Sequence, residues 1–231
     1  MNELLEFSRG PMFRLCFALM VLGSVRLIIM VVADTMSMNR LANTAGNGEV
    51  ECAAETMKWI LPLRLFNTPR YLFSAVSFLF HAGILIVPLF LLEHIILVKR
   101  AIGFGWPPLP GIAADALTLA VIISGMILMG FRILSATGRR VSRLSHHLST
   151  SLVVAVFATG FLSASAYNPV SYETVMIAHS MLGNLLMAAI PFTRFSHVIL
   201  FPFARFVTLA GWRFPSIAGH TVKEAHDNAD S

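Results

Sequence analysis

The chain has 231 residues, of which 56% are hydrophobic and only 13% are charged. Soluble domains carry about 25% charged residues, so this composition excludes an ordinary soluble domain and predicts an integral membrane protein. The formal net charge is +5, and we expect membrane lipids rather than nucleic acid to contact the chain. The two cysteines, Cys16 and Cys52, form no CxxC motif, so the chain alone is not expected to bind an iron–sulfur cluster.

Five segments are long and apolar enough to cross about 30 Å of hydrocarbon, for which a helix needs about 20 residues. In chain order they are residues 12–33, 71–98, 112–134, 147–167 and 170–197. Pro88 and Pro191 lie inside the second and fifth segments and are expected to bend those helices and to free a backbone carbonyl. The sequence therefore predicts an all-α bundle of five transmembrane helices within one domain over residues 1–213, followed by a polar tail over residues 214–231.

Basic residues are distributed unevenly between the two sides of this predicted bundle. Of the 17 lysines and arginines, four lie on the side of the N-terminus, twelve on the other side, and Arg26 within the first segment. Because basic residues favour the cytoplasmic side, the N-terminus is predicted outside and the C-terminus in the cytoplasm.

Four histidines lie within the apolar segments, where ionisable residues are costly and usually functional. His81 and His94 are on the second segment, His179 and His197 on the fifth. These two helices are expected to be antiparallel, which places His81 level with His197 and His94 level with His179. His179 and His197 are also 18 residues apart, five whole turns of one continuous helix, and should share a face. Two imidazoles from facing helices are what a six-coordinate b haem needs, so the pattern predicts two haem b sites.

Small residues near the histidines fit two interpretations. They could let a macrocycle approach the backbone, or serve ordinary helix packing, where glycine is also common. They are Gly83, Gly125, Gly130, Gly160 and Gly183.

Two other functions remain open from the residues alone. Glu93 is next to His94, and such a pair could belong to a proton relay in a cofactor-free transporter. The absence of internal repeat symmetry counts against a transporter. An inert anchor for a larger complex is the third possibility, although it gives the paired histidines no role.

Four stretches resemble a known family. They are SRGPMFRLCFALMVLGSVRL at the start, FHAGILIVPLFLLEH in the second segment, GWPPLPGIAADALTL before the third, and the spacing of His179 and His197 in the fifth. Over residues 8–205 the chain resembles the gamma-subunit cytochrome b of respiratory nitrate reductase. It is still more similar to the relatives in membrane complexes of sulfate reducers, such as the dissimilatory sulfite reductase-linked menaquinol oxidoreductase. The histidines of the second segment are farther apart than in nitrate reductase itself, which favours the broader group.

The resemblance implies a role for the chain and for particular residues. The family has five spans with the N-terminus outside and binds two b haems through the positions of His81, His94, His179 and His197. It implies a respiratory membrane subunit in a bacterial or archaeal cytoplasmic membrane, which exchanges electrons between menaquinone and cytoplasmic iron–sulfur partner subunits. A quinone site is then expected near Glu93 and Lys99. Arginines suit haem propionates, and the candidates are Arg26, Arg70, Arg194 and Arg205.

Overall fold

The computed structural model describes residues 2–42, 71–135, 144–165 and 170–201. Among these residues the regular elements are α-helices and short 3₁₀ turns, without a strand. The helices are α1 (Asn2–Arg9), α2 (Pro11–Ala42), α3 (Tyr71–Phe90), α4 (Leu92–Ile102), α5 (Gly111–Leu134), α6 (Leu144–Ala164) and α7 (Tyr172–Ala189). The tail predicted over residues 214–231 lies outside the described residues.

Five helical stretches in the described part of the chain are long and apolar enough to cross a membrane. They are Glu3–Asp34, Tyr71–Phe90, Gly111–Leu134, Leu144–Ala164 and Tyr172–Phe192. Large apolar side chains such as Leu22, Ile112 and Leu134 are exposed, as expected for helices that are apolar on all sides. The prediction of five apolar helices in an all-helical chain is confirmed for these residues.

The chain divides into two compact units. One comprises Met1–Ser24 and Arg64–Ser196, and the other comprises Val25–Leu63 and His197–Ser231. The first unit contains α1, the start of α2, and all of α3 to α7. In the second unit the described residues are the rest of α2 and the helical residues 197–201.

Successive helices pack side by side in the first unit. α3 packs against α5, α5 against α6, and α6 against α7. A Cβ at Gly83 would enter the space that Val121 occupies, and a Cβ at Gly125 would lie 2.5 Å from Val154 Cγ2. These two glycines therefore let α3, α5 and α6 approach closely, as small residues do between membrane helices. The buried core consists of Phe80, Val87, Val121, Leu128, Val153 and Phe157.

Polar side chains attach α1 to α7. Asn184 Nδ2 donates a hydrogen bond of 2.8 Å to the carbonyl of Ser8, and the Oγ atoms of Ser8 and Ser180 are 3.0 Å apart. Ser8 and Asn184 are 0% and 2% exposed. Because a buried polar group without a partner costs about 1–3 kcal/mol, this contact specifies where α1 packs.

A break at Leu91 separates α3 from α4. The residue is extended, with φ −71° and ψ 131°, and Pro88 in the preceding turn has no N–H for the helix. The predicted helix over residues 71–98 is therefore two helices. The break follows Pro88 by three residues, and the 13 residues from His81 to His94 do not follow one axis.

The fifth apolar helix also ends earlier than the predicted segment 170–197. α7 begins after Ser171, whose hydroxyl accepts a hydrogen bond of 3.4 Å from the Thr174 amide as an N-cap. It ends at Ala189, and 3₁₀ turns follow at Ile190–Phe192, which contains Pro191, and at Arg194–Ser196. Thr193 between the two turns is extended. The assumption of five unbroken turns between His179 and His197 therefore does not hold.

Candidate functional site

His94 lies in the first turns of α4, directly after the break at Leu91. The break leaves three consecutive carbonyl groups without their usual helical donors. His94 Nδ1 lies 3.2 Å from the carbonyl oxygen of Pro88, Trp106 Nε1 donates to Leu89 at 2.7 Å, and the Leu109 amide donates to Phe90 at 2.8 Å. The interruption of the helix thus directly orients the His94 ring.

His179 lies on α7 and faces α6. Its Nδ1 is 3.0 Å from the carbonyl oxygen of Val156 and 3.4 Å from Thr159 Oγ1. A Cβ at Gly160 would lie 2.9 Å from His179 Cε1. Gly160 therefore provides the space in which this ring sits, while Val156 fixes its rotation.

The structure brings the His94 and His179 rings together. Their centroids are 6.1 Å apart and their planes are nearly parallel, at 5°. Both side chains are half-buried. Two imidazoles from α4 and α7 thus form one local pair.

The hydrogen bonds of the pair determine which nitrogen is available to a ligand. A carbonyl oxygen only accepts, so each Nδ1 carries the hydrogen of its bond to Pro88 or Val156. In the neutral ring the lone pair is then on Nε2, and neither Nε2 makes a hydrogen bond within the described ranges. A second ring nitrogen that donates to a carbonyl is the usual arrangement of a metal-binding histidine.

The distance between the two ring centroids can be compared with the distance expected for two imidazoles that bind the same iron ion. A ring nitrogen binds a first-row metal at about 2.0–2.1 Å and lies roughly 1.1 Å from the centroid of a ring with bonds of about 1.33 Å. Two rings on opposite sides of one metal therefore have centroids roughly 6.2–6.4 Å apart. The observed centroid distance of 6.1 Å is close to this value, so the spacing of His94 and His179 is compatible with one metal ion held between them.

His81 and His197 belong to different units of the chain. His81 on α3 is exposed, and its Nδ1 is 2.7 Å from the carbonyl oxygen of Ser77, one turn earlier. Its ring contacts Phe80 edge to face, with centroids 5.6 Å apart. His197 begins the helical residues 197–201 of the second unit and is also exposed. The pairing of His81 with His197 stays a prediction.

The predicted quinone residues lie on α4, close to His94 in sequence. Glu93 and Lys99 are exposed, and the structure shows no hydrogen bond from Glu93 to His94 among the described residues. A Cβ at Gly105 would lie 3.4 Å from Lys99 Cδ, so the loop after α4 covers the stem of this lysine. Arg100, which follows, lines a cavity together with the N-terminal residues.

Two of the four predicted propionate arginines lie in the described structure, in different units of the chain. Arg26 is exposed on α2 in the second unit, and Arg194 is exposed in a 3₁₀ turn of the first. Arg70 and Arg205 lie outside the described residues. Their role stays a prediction.

Arg9 was missed by the sequence reasoning, which counted it only as a basic residue of the outer side. It follows Ser8, which α7 holds through Asn184, and it lines a cavity together with Arg100 of α4. The signal that could have found this contact is Asn184, an amide in the middle of an apolar segment that needs a polar partner.

The five glycines were predicted either to let a macrocycle approach the backbone or to serve helix packing, and they differ in what their surroundings show. Gly83 and Gly125 serve helix packing, Gly160 makes room for the His179 ring, and a Cβ at Gly130 or Gly183 would meet no atom within 4 Å. Among the residues that the structure describes, no group of three or more His, Cys, Asp or Glu could hold a metal ion.

Comparison with known proteins gives one relative without a stated function. A protein of Nitratidesulfovibrio vulgaris (strain Hildenborough), named only "Protein", is 34% identical over 151 residues. The match covers 64% of this chain and 66% of the relative, just under two thirds of the relative's length. No family model matches the chain, and no solved structure matches it.

Proposed function

We propose that the chain is a membrane cytochrome b subunit that exchanges electrons between menaquinone and a partner redox subunit. The observation that carries the proposal is the His94–His179 pair, with parallel rings at 6.1 Å and each Nδ1 bound to a carbonyl. A haem supplies reversible one-electron chemistry at such a pair. Five helices long and apolar enough to span a membrane provide the surroundings that such a cofactor needs.

The membrane topology follows from the charge distribution. With twelve basic residues on one side and four on the other, the N-terminus lies outside and the C-terminus in the cytoplasm. His94 and His179 then form the outer pair, and His81 and His197 form an inner pair for a second haem b. Arg26, Arg70, Arg194 and Arg205 provide positive charge for propionates. The membrane is the cytoplasmic membrane of a bacterium or archaeon.

In this mechanism the chain's own residues orient the imidazoles, bind the quinone and accept a proton. The α3–α4 break and Gly160 orient the two imidazoles, and the apolar helices exclude water from them. Lys99 donates a hydrogen bond to a quinone oxygen near the outer pair. Glu93 takes the proton that quinol oxidation releases on that side. Electrons leave through cytoplasmic iron–sulfur partner subunits, because this chain has no cluster motif of its own.

A pyridine haemochrome assay on protein made with ample haem tests the proposal. We expect about two b haems per chain, and we expect a menaquinol analogue added under anaerobic conditions to reduce them. A single haem would show that one histidine pair is assigned incorrectly. Absence of haem from folded protein would contradict the proposal and favour the proton-relay transporter.

A further inference from the structure

A cavity of about 400 Å³ lies between the N-terminal helices and the end of α4. Three arginines line it: Arg9 and Arg14 at the junction of α1 and α2, and Arg100 on α4. Their side chains are exposed and make no ion pair or hydrogen bond to a described residue. Glu6 is the one acidic residue in the described lining, so the cavity carries a formal charge of +2 and suits an anionic ligand.

The cavity is lined by α4, which carries His94, and by α1, which packs against the His179 helix α7. Arg9 follows Ser8, whose Oγ is 3.0 Å from the Oγ of Ser180, the residue after His179. Arg100 follows His94 by six residues on α4, about 9 Å along the helix axis. The apolar part of the wall includes Leu5, Phe13 and Leu97. Cationic and apolar side chains therefore line the same cavity, about two turns along α4 from His94.

We propose that Arg9, Arg14 and Arg100 bind the propionate carboxylates of the haem that His94 and His179 hold. Two carboxylates match the charge of +2, and guanidinium groups bind carboxylates in bidentate geometry. The phosphate of an anionic lipid is the competing ligand, and the experiments below distinguish it from a propionate. The inference rests on the proposed function and assigns residues that the sequence reasoning did not consider for this role.

Potentiometric titration of an Arg9→Gln/Arg100→Gln double variant tests the assignment. A nearby positive charge favours the reduced haem, which holds one more electron. Removal of two such charges is expected to weaken the electron affinity of one haem at least tenfold, a fall of about 59 mV in midpoint potential. The second haem should keep its potential. Arg143→Gln, which removes a charge from the loop predicted on the opposite side, is the matched control and should leave the outer haem unchanged.

The outcomes separate this inference from the proposed function. Two haems with unaltered potentials in the double variant would overturn the inference alone and leave the arginines to another anion, such as a lipid phosphate. Wild-type protein without haem would overturn the proposed function, and the inference with it.

A measurement on chains with intact arginines covers the case in which the double variant does not fold. Apoprotein of His81→Ala, which retains the outer pair, is titrated with haem b and with its dimethyl ester. We expect the ester, which lacks the carboxylate charges, to bind at least tenfold more weakly. Equal affinities would overturn the inference.

Discussion

The imidazole rings of His94 and His179 are parallel to within 5° and have centroids 6.1 Å apart, although they lie on α4 and α7, far apart in the chain. Each ring is fixed by a bond from Nδ1 to a carbonyl of a different helix or turn, Pro88 for one and Val156 for the other. Neither Nε2 makes a hydrogen bond within the described ranges, and in the proposed function the two Nε2 atoms share one haem. The first prediction follows from this sharing.

In the proposed function both rings bind the same haem, so His94→Ala and His179→Ala should each lower the haem content from about two to about one per chain. The double variant should lose no more than either single variant, which is the non-additive result expected for two ligands of one group. Haem content by pyridine haemochrome, normalised to protein, measures this. His147→Ala on α6 is the control and should retain both haems. Full haem content in the double variant would contradict the assignment.

Gly160→Ala should disturb the same haem without removing a ligand. The added Cβ would lie 2.9 Å from Cε1 and 3.3 Å from Nδ1 of His179, so the ring must shift against its bond to Val156. We expect at least tenfold weaker haem binding at this site, about 1.4 kcal/mol, and an altered low-spin signal in electron paramagnetic resonance.

Gly130→Ala is the matched control for this substitution. A Cβ there meets no atom within 4 Å, and alanine is favoured over glycine in a helix by up to about 1 kcal/mol. It should keep the haem signal and unfold at the same or a higher temperature. An unchanged signal and affinity in Gly160→Ala would show that His179 does not depend on this space.

A third prediction concerns the hydrogen bonds that stabilise the α3–α4 break. Trp106→Phe removes the donor to the Leu89 carbonyl, a bond of 2.7 Å, and keeps an aromatic ring at the site. The loss should lower the free energy of unfolding by about 0.5–1.5 kcal/mol and speed hydrogen exchange of the Leu109 amide, which donates to Phe90. Phe104→Leu, which removes a neighbouring ring without a hydrogen bond, is the control. Unchanged exchange at Leu109 would show that the break holds without the indole.

The helix count and the approximate spans could be predicted from the sequence because apolar runs of this length have few other structures available. The alternating direction of successive spans predicts that residues 94 and 179 are level, but it does not predict that their rings are neighbours, as the structure shows. The site of the break could not be read locally. Pro88 marks the region, but the break falls at Leu91, where Trp106 and Leu109 can take up the freed carbonyls.

The surroundings of Arg9 could not be predicted from the sequence either. Its position depends on the packing of α1 against α7 through Ser8 and Asn184, a contact between residues 176 positions apart in the chain. Counting charges predicts the side of the membrane on which such an arginine lies, but it does not predict which helix packs beside it. The end of α7 has a similar explanation, since Pro191 is compatible with a bent helix or with the 3₁₀ turn that forms.

The attachment of α1 gives the last prediction. Asn184→Leu keeps a side chain of similar size but leaves the buried Ser8 carbonyl without its 2.8 Å hydrogen bond, which should cost about 1–3 kcal/mol. Ser180→Ala should cost less, because Ser8 Oγ still donates to the Leu5 carbonyl at 2.8 Å. Thermal unfolding in detergent and limited proteolysis near residue 10 measure the difference. If α1 detaches, Arg9 leaves the cavity that it lines with Arg100, so Asn184→Leu should also lower the midpoint potential of the proposed outer haem while Ser180→Ala does not. Equal effects of the two substitutions would show that the amide does not hold α1.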